Sequence, residues 1–156
     1  MNRIITICLF AFTFFSCDSD EKDQIITGYV IDTSLNISVA NSNGDDLLAT
    51  DNVNGYNNHS KIKVLYMLNG KLVNIPNGSD YPGNFLIYEQ DGHSVARFFL
   101  YDSGEKYSET HIIWDETHTD VIKAEFERTK NSTTKKRIWL NDQLVTDIQP
   151  YLKIVK

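Results

Sequence analysis

The 156-residue sequence is poor in cysteine, in positive charge and in helical periodicity. It has two cysteines, Cys8 inside an apolar N-terminal run and Cys17 just beyond it. From Asp18 onward there is none, which excludes a disulfide framework and thiol chemistry in the body of the chain. Such a body must be held by its hydrophobic core alone. Lysine and arginine number 15 against 21 aspartates and glutamates. That balance suits neither nucleic acid nor an anionic lipid surface. The lone basic cluster, Lys135-Lys136-Arg137, opens a strand and reads as an exposed strand end. No stretch of ten or more residues combines helical spacing with good helix formers. Catalytic spacings are missing too. There is no Gly-x-Ser-x-Gly and no pair of histidines four apart, and Asp102-Ser103-Gly104 has the composition of a turn.

What is present begins at the N-terminus. Arg3 precedes a run of 12 residues, Ile4 to Phe15, whose only polar members are Thr6 and Thr13. As a helix it would span roughly 18 Å, against a hydrocarbon core of about 30 Å. It therefore reads as the core of a secretion signal and not as a spanning helix. Ser16-Cys17 closes the run. A small residue before a cysteine at the end of an apolar run resembles the lipobox of bacterial lipoproteins, with Phe14 and Phe15 where the common box has leucine and a small residue. The resemblance implies a diacylglycerol on the Cys17 thiol, removal of residues 1–16 and a membrane anchor at the new N-terminus, each buried CH₂ contributing about 0.8 kcal/mol. Asp18, Asp20, Glu21 and Asp23 come next. Residues 17–24 form an acidic tether with too little apolar area to fold. This stretch resembles the acidic export signal of surface lipoproteins in the Bacteroidota; the alternative is a plain solvated linker. Without the leader, 140 residues remain and the net charge is −7, since Arg3 is the only charge removed. That is enough chain for one domain, residues 25–156.

The domain reads as strands. Turn pairs recur at Asn43-Gly44, Asn54-Gly55, Asn69-Gly70, Asn77-Gly78, Asp91-Gly92 and Asn141-Asp142, residues that accept the positive φ of tight hairpins. Between them apolar residues alternate: Leu35, Ile37 and Val39; Ile62, Val64, Tyr66 and Leu68; Ala96, Phe98 and Leu100; Ile122, Ala124 and Phe126, opposite Lys123, Glu125 and Glu127. Phe85–Tyr88, His111–Trp114 and Gln143–Thr146 add short strands, and Ile25–Ile31 suits an edge strand. The pattern predicts an all-β fold, an antiparallel immunoglobulin-like β-sandwich of about eight strands. The unpatterned stretch Asn41–Ser60 is long enough to be functional or mobile.

Residues 39–56 (VANSNGDDLLATDNVNGY, with its Asp46-Leu47-Leu48 step), the hairpin KIKVLYMLNGK, and the later WDETHTDVIKAEFERTKN and IWLNDQLV are together similar to a group of small Bacteroidota lipoproteins. The similarity covers most of residues 30–146. It implies location and fold and adds nothing on mechanism.

Three constellations are candidates for a site. His111 and His118 flank the Trp114–Asp120 turn, with Asp115, Glu116 and Asp120 beside them, an arrangement open to a surface metal; a polar solvated turn has the same composition. None of His59, His93, His111 and His118 shows the four-residue pairing of zinc proteases or has a cysteine partner. Asn41, Asn43, Asp45 and Asp46, with Asp51 nearby, place oxygens at alternate positions as calcium requires, so Asn43, Asp45 and Asp46 are the candidate metal residues. The loop lacks the closing glutamate of the 12-residue calcium pattern, and ordinary turns want the same residues. Among the aromatics, Tyr101 and Tyr107 lie near turns, and Trp114 continues the inward face of Ile112. Trp139, Tyr56 and Tyr81 are the candidates to face a ligand, stacking on a sugar or anchoring a protein.

No cofactor is called for. The reading is a lipid-anchored envelope protein of the outer membrane, a non-enzymatic module binding a glycan or an envelope protein. Its alternatives are a small hydrolase of extracellular polymers and a purely structural subunit.

Overall fold

The computed structural model describes residues 28–78 and 80–156. The leader, Cys17, the acidic tether and the Ile25–Thr27 start of the expected edge strand lie outside the described residues.

Among the described residues there are eleven strands and no α-helix: β1 (Val30–Asp32), β2 (Ser34–Ala40), β3 (Lys63–Leu68), β4 (Lys71–Val73), β5 (Phe85–Gln90), β6 (His93–Phe99), β7 (Tyr107–Ile113), β8 (Thr119–Thr129), β9 (Ser132–Leu140), β10 (Gln143–Val145) and β11 (Leu152–Val155). They form two sheets. One is seven-stranded in the order β1-β9-β8-β7-β3-β4, with β10 also on β9; the other is β11-β2-β6-β5. The all-β class therefore holds, with more strands than the alternation alone marks.

The alternation is physical. A strand sends successive side chains to opposite faces, and along β2 Leu35, Ile37 and Val39 are buried while Ser34, Asn36, Ser38 and Ala40 are only half-buried. Ala96 and Phe98 join them from β6. Val64, Ile112, Ile122, Ala124 and Ile138 face them from the seven-stranded sheet, all in one core with Trp114. The hairpins between β3 and β4, β5 and β6, and β9 and β10 turn at Asn69-Gly70, Asp91-Gly92 and Asn141-Asp142, each with positive φ at both positions. That is the backbone of a type I′ turn, whose twist matches the strands it joins.

Three expectations are corrected. The sheets are mixed rather than antiparallel: β1 runs parallel to β9 and β11 parallel to β2. A two-residue hairpin forces antiparallel neighbours, and neither of these pairs is joined by one. The chain instead changes sheets at Thr33, between β1 and β2. The two packed sheets make a sandwich; they do not by themselves give it an immunoglobulin-like connectivity. Second, Lys135-Lys136-Arg137 lies within β9, and its cations meet Asp32, Glu127 and Glu125.

Third, the Asn41–Ser60 segment is packed. Leu48 is fully buried and Leu47 nearly so. The Asp46 carboxylate accepts backbone N–H groups from Leu48 (2.8 Å) and from Ser94 on β6 (2.6 Å). Asn52 Nδ2 donates to the Asp46 carbonyl at 2.7 Å, and His59 Nε2 to the Leu48 carbonyl at 2.8 Å. Tyr56 stacks on Trp114 with ring centroids 5.3 Å apart. Gly55 serves this packing by its small size: a Cβ there would stand 2.3 Å from the Leu47 carbonyl oxygen.

Candidate functional site

The turn residues proposed for a metal are engaged with the backbone. Asn41 Oδ1 accepts the N–H groups of Asn43 and Asp45, both at 2.9 Å, and Asn41 Nδ2 donates to Asp45 Oδ2 at 2.7 Å. Asp46 points the other way, into the two bonds that pin the loop. These are the self-contained contacts of an Asx turn. His111 and His118 are not brought together either. His111 pairs with Glu109 at 2.6 Å and His118 with Asp115 at 2.9 Å. The Asp115 carboxyl lies well below its usual range: partial burial would raise it, but the hydrogen bonds from His118 and Thr117 outweigh that. Among the described residues no group of three His, Cys, Asp or Glu side chains converges as a metal site.

The three aromatic candidates are dispersed. Tyr56 lies on Trp114, Tyr81 on Phe99 (5.0 Å), and Trp139 edge-on to Tyr107 (6.1 Å). Tyr56 is thus part of the packing over the core. Burial, with the charges of Asp115 and Asp120, pushes its phenol up to about 12. Tyr81 is 38% exposed, and among the described residues its one aromatic neighbour is Phe99.

A groove forms where the seven-stranded sheet comes apart. Pairing between β3 and β7 runs from Lys63↔Ile113 to Tyr66↔Thr110 and stops there. β7 continues to Tyr107 along β8, while β3 continues to Leu68 along β4. Met67 and Leu68 then face Ser108 and Glu109 across a groove of about 510 Å³. Tyr66, Tyr101 and Tyr107 supply its aromatic wall, and Glu105, Glu109 and Lys123 its charges. Tyr66 forms the inner end, its OH donating to the Phe99 carbonyl at 2.7 Å. Ser108 also lines the groove, but its hydroxyl is turned into the protein, buried with no hydrogen-bond partner among the described residues. A buried hydroxyl left so costs about 1–3 kcal/mol.

Outside the groove the register sets one row of side chains on the wet face. Tyr107 stands opposite Glu125, Glu125 opposite Arg137, and Lys123 opposite Trp139. The Arg137 guanidinium lies 5.5 Å from the Trp139 ring centre, and the Lys123 ammonium lies 5.7 Å from Trp139 and 5.0 Å from Tyr107. Lys106 lies 5.2 Å from the Tyr107 ring centre. Cation and ring thus alternate along Arg137, Trp139, Lys123, Tyr107 and Lys106, contacts that attract through the ring quadrupole. Glu125 sits beneath with its side chain 4% exposed, bonded by Arg137 and by Lys106 (3.4 Å). The Arg137 hydrogen bond holds its carboxyl below the usual range, and Glu125 in turn raises both cations.

One more polar cluster lies at the far end of β8. Asp120, 3% exposed, accepts from Trp114 Nε1 (2.7 Å), Asn141 Nδ2 (2.9 Å) and Lys156 Nζ (2.8 Å). Burial alone would raise its carboxyl, but the hydrogen bonds from Lys156, Asn141 and Trp114 hold it down. Every oxygen is engaged, so this is a fastening for the chain end and the Trp114 turn.

Of the groove and the row, sequence pattern alone points to Trp139 as a ligand-facing residue and misses Tyr66, Tyr101, Tyr107, Ser108, Glu109, Lys123 and Arg137 as site residues. Lys123 carries one signal, its place on the wet side of an alternating strand. No family model, curated protein or solved structure matches the chain.

Proposed function

We propose that the chain is an envelope lipoprotein, anchored through Cys17 and displayed from the outer membrane, whose domain binds an extracellular glycan in the β3–β7 groove without transforming it. One observation carries the binding reading: an aromatic-walled groove with both donors and acceptors in its lining. The hydrolase alternative needs a carboxyl kept protonated near neutrality beside a second one. Of the groove's two carboxylates, Glu105 and Glu109, the second is already paired with His111 at 2.6 Å, which weighs toward binding.

The anchor is tested by mass spectrometry of the protein from native membranes. A diacylglycerol on an N-terminal Cys17 supports it; an unmodified N-terminus elsewhere overturns it. The binding site is tested on a glycan array with the wild-type protein and Tyr107→Ala. Retention of at least one glycan class by the wild type and its loss in the variant supports the reading. Binding to no glycan, or binding untouched by the variant, overturns it.

A further inference from the structure

We infer that the groove and the cation–ring row beside it form one continuous site for an acidic polysaccharide, the row reading sugar carboxylates while the groove holds the sugar ring. The inference rests on the reading of the groove as a ligand site and names the class of ligand. Tyr107 and Lys123 belong to both parts, which makes them one surface. Along the row the rings are flanked by cations, so their faces do not form a bare stacking platform. They hold the three cations in place before any ligand arrives, which lowers the cost of ordering them on binding.

The charges are available. Lys106 and Arg137 share one carboxylate, Glu125, and among the described residues Lys123 makes no ion pair. Arg137 uses Nε for Glu125, leaving its terminal amino groups to face an incoming carboxylate in the paired geometry that guanidinium favours. Along the row three cations stand against the single carboxylate of Glu125, a positive excess confined to the row, while the groove beside it carries Glu105 and Glu109.

The carboxylates beside the row select the kind of polyanion. Neighbouring cations share a ring 5.0–5.7 Å from each. A dense polyanion would meet Glu105 and Glu109 in the groove, and like charges placed together reject a partner. A polysaccharide with separated carboxylates avoids that repulsion. Its hydroxyls can donate to Glu105 and Glu109.

The test is calorimetry on the full-length protein in neutral detergent with three probes: polygalacturonate, its fully methyl-esterified form and single-stranded DNA. The expected result is binding to polygalacturonate, about tenfold or more weaker for the methyl ester and for Lys123→Met, with Lys123→Arg restoring affinity. An unchanged urea midpoint for Lys123→Met confirms that the variant is folded. Equal affinity for polygalacturonate and its methyl ester overturns the acidic assignment while the groove reading stands, provided Tyr107→Ala abolishes both. DNA bound as tightly as polygalacturonate also overturns it, since the row would then be a general polyanion contact. No binding to either polysaccharide overturns the inference, and the glycan array then decides separately whether the groove binds any sugar.

Discussion

Asp120→Ala tests the energetics of the fold at one atom group. The substitution removes the acceptor of three bonds. Trp114, 1% exposed, keeps its indole N–H with nothing to bond, which costs about 1–3 kcal/mol. Lys156 loses its partner, but its side chain is 16% exposed and can reach water, so this part lies below the 3–5 kcal/mol typical of a broken, fully buried pair. The expected loss is about 3 kcal/mol at neutral pH, a large share of a typical 5–15 kcal/mol. Asp120→Asn keeps an oxygen for Trp114 and should cost less. The pH dependence has a definite sign. The carboxyl is held below its ordinary 3.8, so its contribution is complete above about pH 4 and fades as pH falls through the lower folded value. Urea unfolding followed by tryptophan fluorescence, at neutral pH and near pH 3, reads both effects. A neutral-pH loss under about 1 kcal/mol, or a gap between variant and wild type that widens in acid, would show that Asp120 is not the fastening described.

Three further substitutions probe other parts. Gly55→Ala drives a methyl against the Leu47 carbonyl at 2.3 Å and should lower stability by about 1–3 kcal/mol, measured by thermal unfolding. Asn84 is fully buried at φ 64 and accepts the Asn77 N–H at 2.6 Å. Asn84→Ala should cost about 2–4 kcal/mol in urea, with Asn84→Gly recovering the backbone part alone. Tyr56, raised from 10.0 to about 12, stabilises the fold fully below pH 10 and progressively less as pH rises toward 12. Burial raises the Tyr66 phenol as well, so an ultraviolet titration should show late phenols of which Tyr56→Phe removes one, and alkaline unfolding should shift upward in that variant.

The parts of the fold written locally were legible. Leu35, Ile37 and Val39 alternate in sequence and share the core in space. Asn69-Gly70 and Asp91-Gly92 turn where their backbone preferences demand. Partners distant in sequence were not legible. β11 is four residues long, and its parallel place beside β2 depends on contacts more than a hundred residues away. The Asn41–Ser60 segment looked like loop because Leu47, Leu48 and Tyr56 are too few to make a period, yet each finds the core. Asp120 looked like part of a polar turn, since nothing local reveals that Trp114, Asn141 and Lys156 converge on it. The groove is the least local feature: it exists because β3 follows β4 where β7 follows β8, and only the register discloses that parting. The cation–ring row is an accident of alternation until register sets Lys123 opposite Trp139.

Everything proposed for the groove requires that ligand enters between β3 and β7. Amide chemical-shift mapping on isotope-labelled protein, titrated with oligogalacturonate, reads that entry residue by residue. Shifts should concentrate at residues 66–69, 101–109 and 123, with a second set at Arg137 and Trp139. Shifts centred on β5 or β11, or a titration that leaves Tyr107, Ser108 and Lys123 unmoved, would contradict it.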